Sequence, residues 1–396
     1  MGKLEPGLRL LHPEQRDKAA GEYEIRAIPI DSRSKRRTRL GNMSVVEWLL
    51  DSDPSIRWHV MRDLIAEPAD VVAAERARIA SEGWGARLLE LQGETGLWDG
   101  GTLFPARAMA GPPDGSNTGG ANEERGPGKA NDVGVLDAHG GEEEADDDQP
   151  WTATAPTLQV LRDLGIDPTD ERVRRAIALV RDNAKWEHAG QPFFEGEVEP
   201  CINGRTVAAG SYFGEDVRAI VERLVTEQLE DGGWNCEAER GSVRASFNTT
   251  IEVLEGLLEY ERATGGSPAV TAARQRGERY LLDRHLMRRL SDGAVIRKFT
   301  RFAYPPRWHY DVLRGLDYLR CAGVVPDQRW SEAVDLVRSK RDADGRWPLE
   351  KTYPGAVHFA LEDGDGKPSR WNTLRAMRVL DWVDRHSEGR PTSSRL

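Results

Sequence analysis

Apolar residues recur three and four positions apart along most of the chain, and the strict alternation typical of half-buried strands is nearly absent. Six segments with this helical spacing begin near positions 57, 152, 203, 248, 307 and 370, most of them with small or polar capping residues near the start. Another amphipathic segment precedes most of them; these segments span 44–51, 84–92, 171–184, 214–228, 267–284 and 328–341. The pattern predicts an all-α protein made of six helix pairs, which is a repeat architecture.

A short motif recurs where the first helix of a pair ends. Gln-x3-Gly-x-Trp occurs at 92–98 and 228–234, and 341–347 has Arg in place of Gln. Glycine can end a helix in a left-handed turn, the long polar side chain can bind exposed backbone there, and the indole can cover the junction. We interpret this motif as structural rather than catalytic.

The motif resembles that of the terpenoid cyclase and protein prenyltransferase superfamily, whose members form an α/α toroid. The stretch Glu-Gly-Glu-Val-Glu at 195–199 is also similar to a Gly-Glu-Val-Asp stretch of prenyltransferase β-subunits. The resemblance covers residues 44–386 apart from an acidic stretch. It implies an (α/α)6 toroid with squalene cyclase-like and prenyltransferase-like repeats, and an enzyme that acts on an isoprenoid or similarly amphiphilic substrate in a central cavity.

The resemblance does not extend to the catalytic motifs of the family. Squalene-type cyclases carry an Asp-x-Asp-Asp acid just before an inner helix, and the equivalent positions 150–153, 246–249 and 305–308 contain no acidic residue. Prenyltransferases hold zinc through an Asp-x-Cys pair and a later His. This chain has Phe247 and Thr249 at the pair, and His309 falls one residue away from the family's His.

Arginines and tryptophans stand at the predicted starts of the second helices. If these helices run parallel, their N-termini share one mouth of the cavity, where the positive helix ends favour an anionic group. The predicted substrate-binding residues at this mouth are Arg205, Arg244, Arg307, Trp308, Arg370 and Trp371. The alternative is that Arg and Trp form a packing unit, with the guanidinium stacked on the indole.

Two cysteines and a histidine are predicted to face the same mouth. Thiolate and imidazole ligands suit Zn²⁺, and three protein ligands leave one position open for a substrate. The predicted metal ligands are Cys201, Cys236 and His309, and the candidate catalytic residues are His309 and Asp311. Asp311 or Glu237 is the candidate fourth ligand, or the partner that orients His309. The alternatives are cysteines that only fill the core and a His that only caps a helix.

Composition divides the 396 residues further. Residues 106–150 contain eleven acidic and three basic residues and no aromatic residue, so they carry −8 of the chain's net charge of −11. We expect a disordered insertion here, within a toroid domain that spans 43–388, because this stretch cannot bury enough apolar surface. Residues 1–42, which contain a basic run, are predicted to be a disordered extension, and 389–396 a flexible tail.

Composition also excludes some classes of protein. The net charge of −11 argues against a nucleic-acid partner, and no apolar run reaches the roughly 18 residues of a transmembrane segment. Three cysteines cannot form a disulfide framework and no secretion signal is recognisable, so we expect a cytoplasmic protein. Two other functions stay open. One is a non-catalytic toroid that binds a lipid or a protein, and the other is a carbohydrate-active α/α barrel with paired carboxylates in its cavity.

Overall fold

The computed structural model describes residues 43–106 and 149–388. The predicted N-terminal extension, nearly all of the predicted acidic insertion and the predicted C-terminal tail lie outside these ranges. The helices are α1 (Val45–Leu50), α2 (Pro54–Asp63), α3 (Ala69–Arg78), α4 (Gly83–Glu90), α5 (Thr154–Leu164), α6 (Glu171–Asn183), α7 (Pro200–Phe213), α8 (Arg218–Thr226), α9 (Phe247–Thr264), α10 (Pro268–Asp283), α11 (Val312–Cys321), α12 (Ser331–Ser339) and α13 (Arg370–Glu388). Strands β1 (Trp347–Pro348) and β2 (Pro368–Ser369) pair antiparallel, with Trp347 opposite Ser369.

The described residues are mostly helical, which confirms the all-α prediction at this level. A helix lies in each of the segments that the apolar spacing marks. Helix α3 is the one described α-helix that lies outside these segments, so the apolar spacing does not predict it. Its buried residue is Glu75, whose carboxylate accepts a hydrogen bond from Arg57 Nε at 2.7 Å. A helix held by a buried charge rather than by an apolar face lacks the spacing that reveals the others.

The second helices of the predicted pairs, which are α2, α5, α7, α9, α11 and α13, contact one another in chain order. Contacts join α5 to α7, α7 to α9 and α11 to α13, and α13 also packs on α2. Arg314 of α11 binds Glu252 and Glu255 of α9 at 2.7 to 2.9 Å. His59 Nε2 of α2 lies 3.0 Å from the carbonyl oxygen of Asp163 in α5. Since α13 packs on α2, the last of these six helices contacts the first.

Helices α7 and α9 pack backbone against backbone. Gly204 of α7 faces Glu252 of α9, and a Cβ atom at Gly204 would lie 2.6 Å from the carbonyl group of Glu252. Gly256 of α9 faces the carbonyl oxygen of Gly204, where a Cβ atom has no room. Two glycines, one on each helix, therefore allow an approach that side chains would prevent.

The Gln-x3-Gly-x-Trp motifs make matching hydrogen bonds. Gln228 Nε2 donates to a carbonyl of its own motif at 2.6 Å and to Ala273 of α10 at 2.8 Å. Trp234 Nε1 donates to Leu224 of α8 at 2.7 Å, and its backbone N donates to Thr250 of α9 at 3.1 Å. The matching donor and acceptor pairs elsewhere are Gln92–Gly96, Gln92–Ala176, Trp98–Leu88, Trp98–Thr154, Trp347–Val337 and Trp347–Thr373. These hydrogen bonds join the end of one helix to its neighbours, which is the structural role that the sequence predicts for the motif.

Candidate active site

The starts of three second helices are joined by hydrogen bonds. The backbone N of Tyr310, just before α11, donates to Asn248 in the first turn of α9 at 2.8 Å. Asn372, in the first turn of α13, donates to the carbonyl oxygens of Pro348 at 3.1 Å and of Phe302 at 3.4 Å. Phe302 lies next to Ala303, whose backbone N donates to the α11 cap residue Asp311 at 3.3 Å. These bonds therefore bring the starts of α9, α11 and α13 close together.

A cavity of about 320 Å³ lies among the first half of α5, the segment 304–307 before α11 and the segment 349–364 before α13. Its apolar lining includes Leu88, Trp151, Val160, Leu349, Val357 and Phe359. Its polar lining includes Thr157, Tyr304, Arg307, Tyr353, His358, Glu362 and Asp363. A mainly apolar cavity of this size with a few polar groups is typical of small-molecule sites.

Trp151 holds the segment 349–364 beside α5. Its backbone N donates to the carbonyl oxygen of Ala356, and its indole Nε1 donates to that of Pro354, both at 2.7 Å. Farther along the same segment, His358 Nε2 lies 3.0 Å from Thr157 Oγ1 of α5. Burial lowers the pKa of His358, so its imidazole is neutral at neutral pH.

Arg307 is a buried cation that forms no ion pair with any residue in the described ranges. Its guanidinium lies over the Trp151 ring, 4.9 Å from the centroid. Its backbone φ is +55°, in the left-handed region that non-glycine residues rarely adopt. Its carbonyl oxygen accepts hydrogen bonds from Gln159 and Arg314, each at 3.4 Å. Burial lowers the pKa of Arg307 to about 10, because the charged form has lost water and the nearby Tyr304 and Asp163 offset this loss only in part.

Tyr304 is a second polar group of the wall with an unused hydrogen-bonding atom. Its hydroxyl is buried and forms no hydrogen bond with the described residues. Its ring stacks on Trp371 with the centroids 4.5 Å apart and the planes 12° apart. Burial raises the pKa of Tyr304 well above its ordinary value, so the hydroxyl keeps its proton. The wall therefore offers an incoming oxygen both an O–H donor and a guanidinium.

Glu362 forms part of the wall beside the start of α13. Its carboxylate accepts hydrogen bonds from Ser369 Oγ at 2.6 Å, from the backbone N of Trp371 at 3.0 Å and from that of Arg370 at 3.3 Å. Burial raises the pKa of Glu362 although these bonds favour its ionised form. The cavity therefore contains a carboxyl group that takes up a proton more readily than an exposed one.

The two predicted catalytic residues, Asp311 and His309, are not among the residues that line the cavity. The carboxylate of Asp311 is buried and caps α11 by accepting a hydrogen bond from the backbone N of Arg314 at 2.8 Å. It also accepts one from the backbone N of Ala303 at 3.3 Å, and burial raises its pKa. His309 lies between the rings of Trp308 and Tyr353, whose centroids are 3.6 and 3.5 Å away. Burial lowers the pKa of His309 to about 2. Asp311 therefore stabilises a helix start, and His309 is a neutral ring stacked on a residue of the cavity wall.

Of the predicted substrate-binding residues, Arg307 lines the cavity. Arg370 instead binds the end of α1, where its Nη2 donates to the carbonyl oxygen of Asp51 at 3.0 Å and its guanidinium lies 4.8 Å from the centroid of the Trp48 ring. These are the contacts of the packing alternative. Of the other predicted residues, Arg205 lies 3.9 Å from Glu252, and Arg244 is exposed. Trp308 stacks on His309, and Trp371 stacks on Tyr304.

The two predicted metal-ligating cysteines lie together. Cys201 Sγ and Cys236 Sγ are 2.7 Å apart, and Glu199 Oε2 is 3.4 Å from Cys201 Sγ. The three ligand atoms lie within 4.8 Å of one another, and within the described residues His309 does not belong to this group. Glu199 is not among the predicted ligands, although its Glu-x-Cys spacing to Cys201 at a helix start is a signal visible in the sequence.

The chain has distant structural similarity to solved structures of a terpene cyclase. No protein-family model and no curated protein matches the chain. Among solved structures, the type II terpene cyclase MstE from Scytonema in its apo form matches with a TM-score of 0.30 and 15% identity, over 59% of this chain and 73% of that chain. A variant of the same enzyme in complex with geranylgeranyl dihydroxybenzoate matches with a TM-score of 0.28 and 15% identity, over 59% and 72% of the two chains. These similarities are too weak to assign the chain to a family.

None of the helices in the described ranges has both the length and the apolar character needed to cross a membrane.

Proposed function

We propose that the chain is an enzyme that acts on an isoprenoid or similarly amphiphilic substrate in the cavity beside α5. The observation that carries this proposal is Arg307, a buried guanidinium without an ion pair in the described ranges, on the wall of a mainly apolar cavity. A buried charge is costly unless a group of opposite sign compensates it. An anionic head group would compensate Arg307, and the Tyr304 hydroxyl would donate a second hydrogen bond to it.

The rest of the wall suits a hydrocarbon tail. Trp151, Leu349 and Phe359 offer apolar surface, and each methylene that leaves water contributes about 0.8 kcal/mol. Aromatic ring faces also attract positive charge. An isoprenoid that reacts through a carbocation would therefore gain stabilisation from the same residues that hold its chain.

Glu362 is the residue that we propose for proton exchange with the substrate. It lines the cavity, and burial raises its pKa toward the range in which a carboxyl group can both give and take a proton. The variant Glu362→Gln keeps an oxygen that can accept the hydrogen bonds from Ser369 Oγ and from the backbone N of Trp371. We expect this variant to bind substrate but to lose turnover by a factor of about 100 or more.

The (α/α)6 toroid belongs to the same proposal. Its support is that the second helices contact one another in chain order and that α13 packs on α2. The buried ion pairs of Arg314 with Glu252 and Glu255 lie between two of these helices, and the cavity lies near helix starts. In the proposed toroid the substrate would therefore occupy the mouth, and a crystal structure tests this arrangement.

Binding of prenyl diphosphates tests the proposed function. Geranyl, farnesyl and geranylgeranyl diphosphate would be titrated into the protein by calorimetry, together with the matching uncharged alcohols. We expect Arg307→Gln to weaken diphosphate binding by about 10- to 100-fold, or about 1.4 to 2.8 kcal/mol, and to leave alcohol binding nearly unchanged. The matched control is Arg218→Gln, which removes an exposed arginine on α8.

The outcomes of this test separate the functions. Tight diphosphate binding that depends on Arg307, with products detected by mass spectrometry, supports the enzyme. Binding without turnover, in the presence and absence of added divalent metal, would favour a non-catalytic lipid-binding protein. Equal diphosphate affinity in the parent protein and Arg307→Gln would contradict the proposed head-group site.

A further inference from the structure

Glu199, Cys201 and Cys236 bring three metal-ligating atoms within 4.8 Å of one another, and none of these residues lines the cavity. Two of the ligands come from the start of α7, and the third comes from the segment before α9. All three side chains are partly exposed, so an ion can reach them from solvent. A carboxylate oxygen and two sulfurs from different segments form a defined donor set, unlike a lone surface cysteine.

The backbone that carries Glu199 is held firmly. Asn203 accepts a hydrogen bond from the backbone N of Glu197 and donates one to its carbonyl oxygen, both at 2.7 Å. Arg223 donates to the carbonyl oxygens of Glu197 and Val198, both at 2.6 Å. Residues that surround ligands in this way fix their orientation before an ion arrives.

Cys236 is held from the other side. Trp234 anchors the preceding backbone through its indole bond to α8, and Asn235 accepts a hydrogen bond from the backbone N of Glu237 at 3.0 Å. Thr249 Oγ1, in the first turn of α9, lies 3.4 Å from Cys236 Sγ and accepts a hydrogen bond from Ser246 at 3.0 Å. The segments that carry Cys201 and Cys236 are thus fixed by separate sets of hydrogen bonds, and together they place the two sulfur atoms in contact.

The electrostatic surroundings of the cluster favour a cation. Two thiols and a carboxylate in close contact repel one another once ionised. A divalent cation among them removes this repulsion and is the ligand that such a donor set selects.

We propose that Glu199, Cys201 and Cys236 bind a Zn²⁺ ion whose fourth position is open to water or to a substrate. Binding breaks both S–H bonds, forms two Zn–S bonds and one Zn–O bond, and releases two protons to solvent. Sulfur atoms 2.3 Å from a tetrahedral ion are about 3.8 Å apart, so the thiols separate by about 1 Å as the ion enters. The site goes beyond the proposed function and does not depend on Arg307.

Metal analysis of the protein tests this site. Chain purified under reducing conditions without chelators would be analysed for zinc, and the apoprotein would be titrated with Co²⁺, whose thiolate complexes absorb in the near ultraviolet. We expect one zinc per chain and a Co²⁺–thiolate band, both lost in Cys201→Ser and Cys236→Ser. Glu199→Gln should keep the band and weaken binding by about 10-fold or more.

Cys321→Ser is the matched control, because Cys321 lies at the end of α11 and receives a hydrogen bond from Arg320 at 3.1 Å. It should retain the metal, and circular dichroism should show the same helix content in every variant. Absence of zinc and of a Co²⁺ band from the folded reduced protein overturns the proposal. So does a mass lower by two hydrogens in protein purified without reductant that resists reduction, because the two sulfurs would then form a disulfide.

Discussion

Gly256 of helix α9 lies directly against the carbonyl oxygen of Gly204 in helix α7, with no space for a Cβ atom between them. The contact is between backbones, and a backbone cannot move aside as the end of a flexible side chain can. The two glycines therefore set the distance between α7 and α9. They also set the position of Cys201 relative to Thr249, in the first turns of these helices.

We expect Gly256→Ala to lower the free energy of unfolding by about 1 to 3 kcal/mol. The direction is informative, because alanine favours a helix by about 1 kcal/mol over glycine when nothing obstructs it. Urea unfolding followed by circular dichroism measures the change. Glu222→Ala, on the exposed face of α8, is the control and should stay within about 0.5 kcal/mol of the parent protein. Parent-like stability of Gly256→Ala would show that the helices can separate at no cost.

Gln92→Ala and Gln228→Ala should destabilise the protein to a similar extent. Each glutamine amide donates to two backbone carbonyls, one in its own motif and one in a following helix, at 2.6 to 3.0 Å. Removal of the amide breaks both hydrogen bonds, each of which contributes about 0.5 to 1.5 kcal/mol. Thermal and urea unfolding of both variants measures the effect. A loss confined to one variant would mean that the two motifs are not equivalent.

Arg314→Met should be among the most destabilising single changes in the chain. The Arg314 side chain is 3% exposed and binds Glu252 and Glu255, so its removal leaves the buried Glu252 and the partly buried Glu255 without this partner. Breaking a buried ion pair in this way costs about 3 to 5 kcal/mol. Arg218→Met breaks an exposed pair with Asp216 and should change the unfolding midpoint little. Similar midpoints for both variants would contradict the importance of the buried pair.

Stability should fall as the pH drops below about 6.5, in part because of His59. Burial, together with Arg378 and Arg62, lowers the pKa of His59 well below its ordinary value, against the opposing effects of Asp63 and a hydrogen bond to Asp163. The unfolded chain then binds a proton that the folded chain does not, so each pH unit below 6.5 costs about 1.4 kcal/mol. This loss continues until the folded-state pKa is reached.

His59→Gln should remove this part of the pH dependence, because glutamine can donate to Asp163 without titrating in this range. The measured quantity is the difference in unfolding free energy between pH 7.5 and pH 5.5, compared between parent and variant. His188→Gln, at an exposed position, should leave the difference unchanged. Equal differences in the parent protein and His59→Gln would show that His59 is already able to take up a proton in the folded state.

The helices were predictable because most of them bury an apolar face, and the spacing of that face is visible in the sequence. The motif contacts were predictable for a similar reason, since glycine, glutamine and tryptophan each have one plausible role at a helix end. Helix α3 was not, because its buried contact is a charged pair between Glu75 and Arg57. Ion pairs of this kind leave no periodic signal in the sequence.

The candidate site was predictable only in part. Arg307 and Arg370 occupy the same place in the repeated Arg-Trp motif, yet Arg307 faces the cavity and Arg370 binds the end of α1. Their difference arises from what packs on them, which the motif does not encode. Most of the cavity wall comes from the segment 349–364, which Trp151 holds through backbone carbonyls. Contacts to backbone leave no mark on the sequence of the segment that accepts them.

Arg370 donates to a carbonyl oxygen that lies 319 positions earlier in the chain, and Arg378 pairs with Asp63 of α2. These contacts can therefore form only after the last helix has been synthesised. The native structure, however, depends on the contact between the early and late segments and not on the order in which they are synthesised. A circular permutant, with a linker between the old ends and new termini in the exposed turn at Gly241, should therefore reach the same native state by a different route.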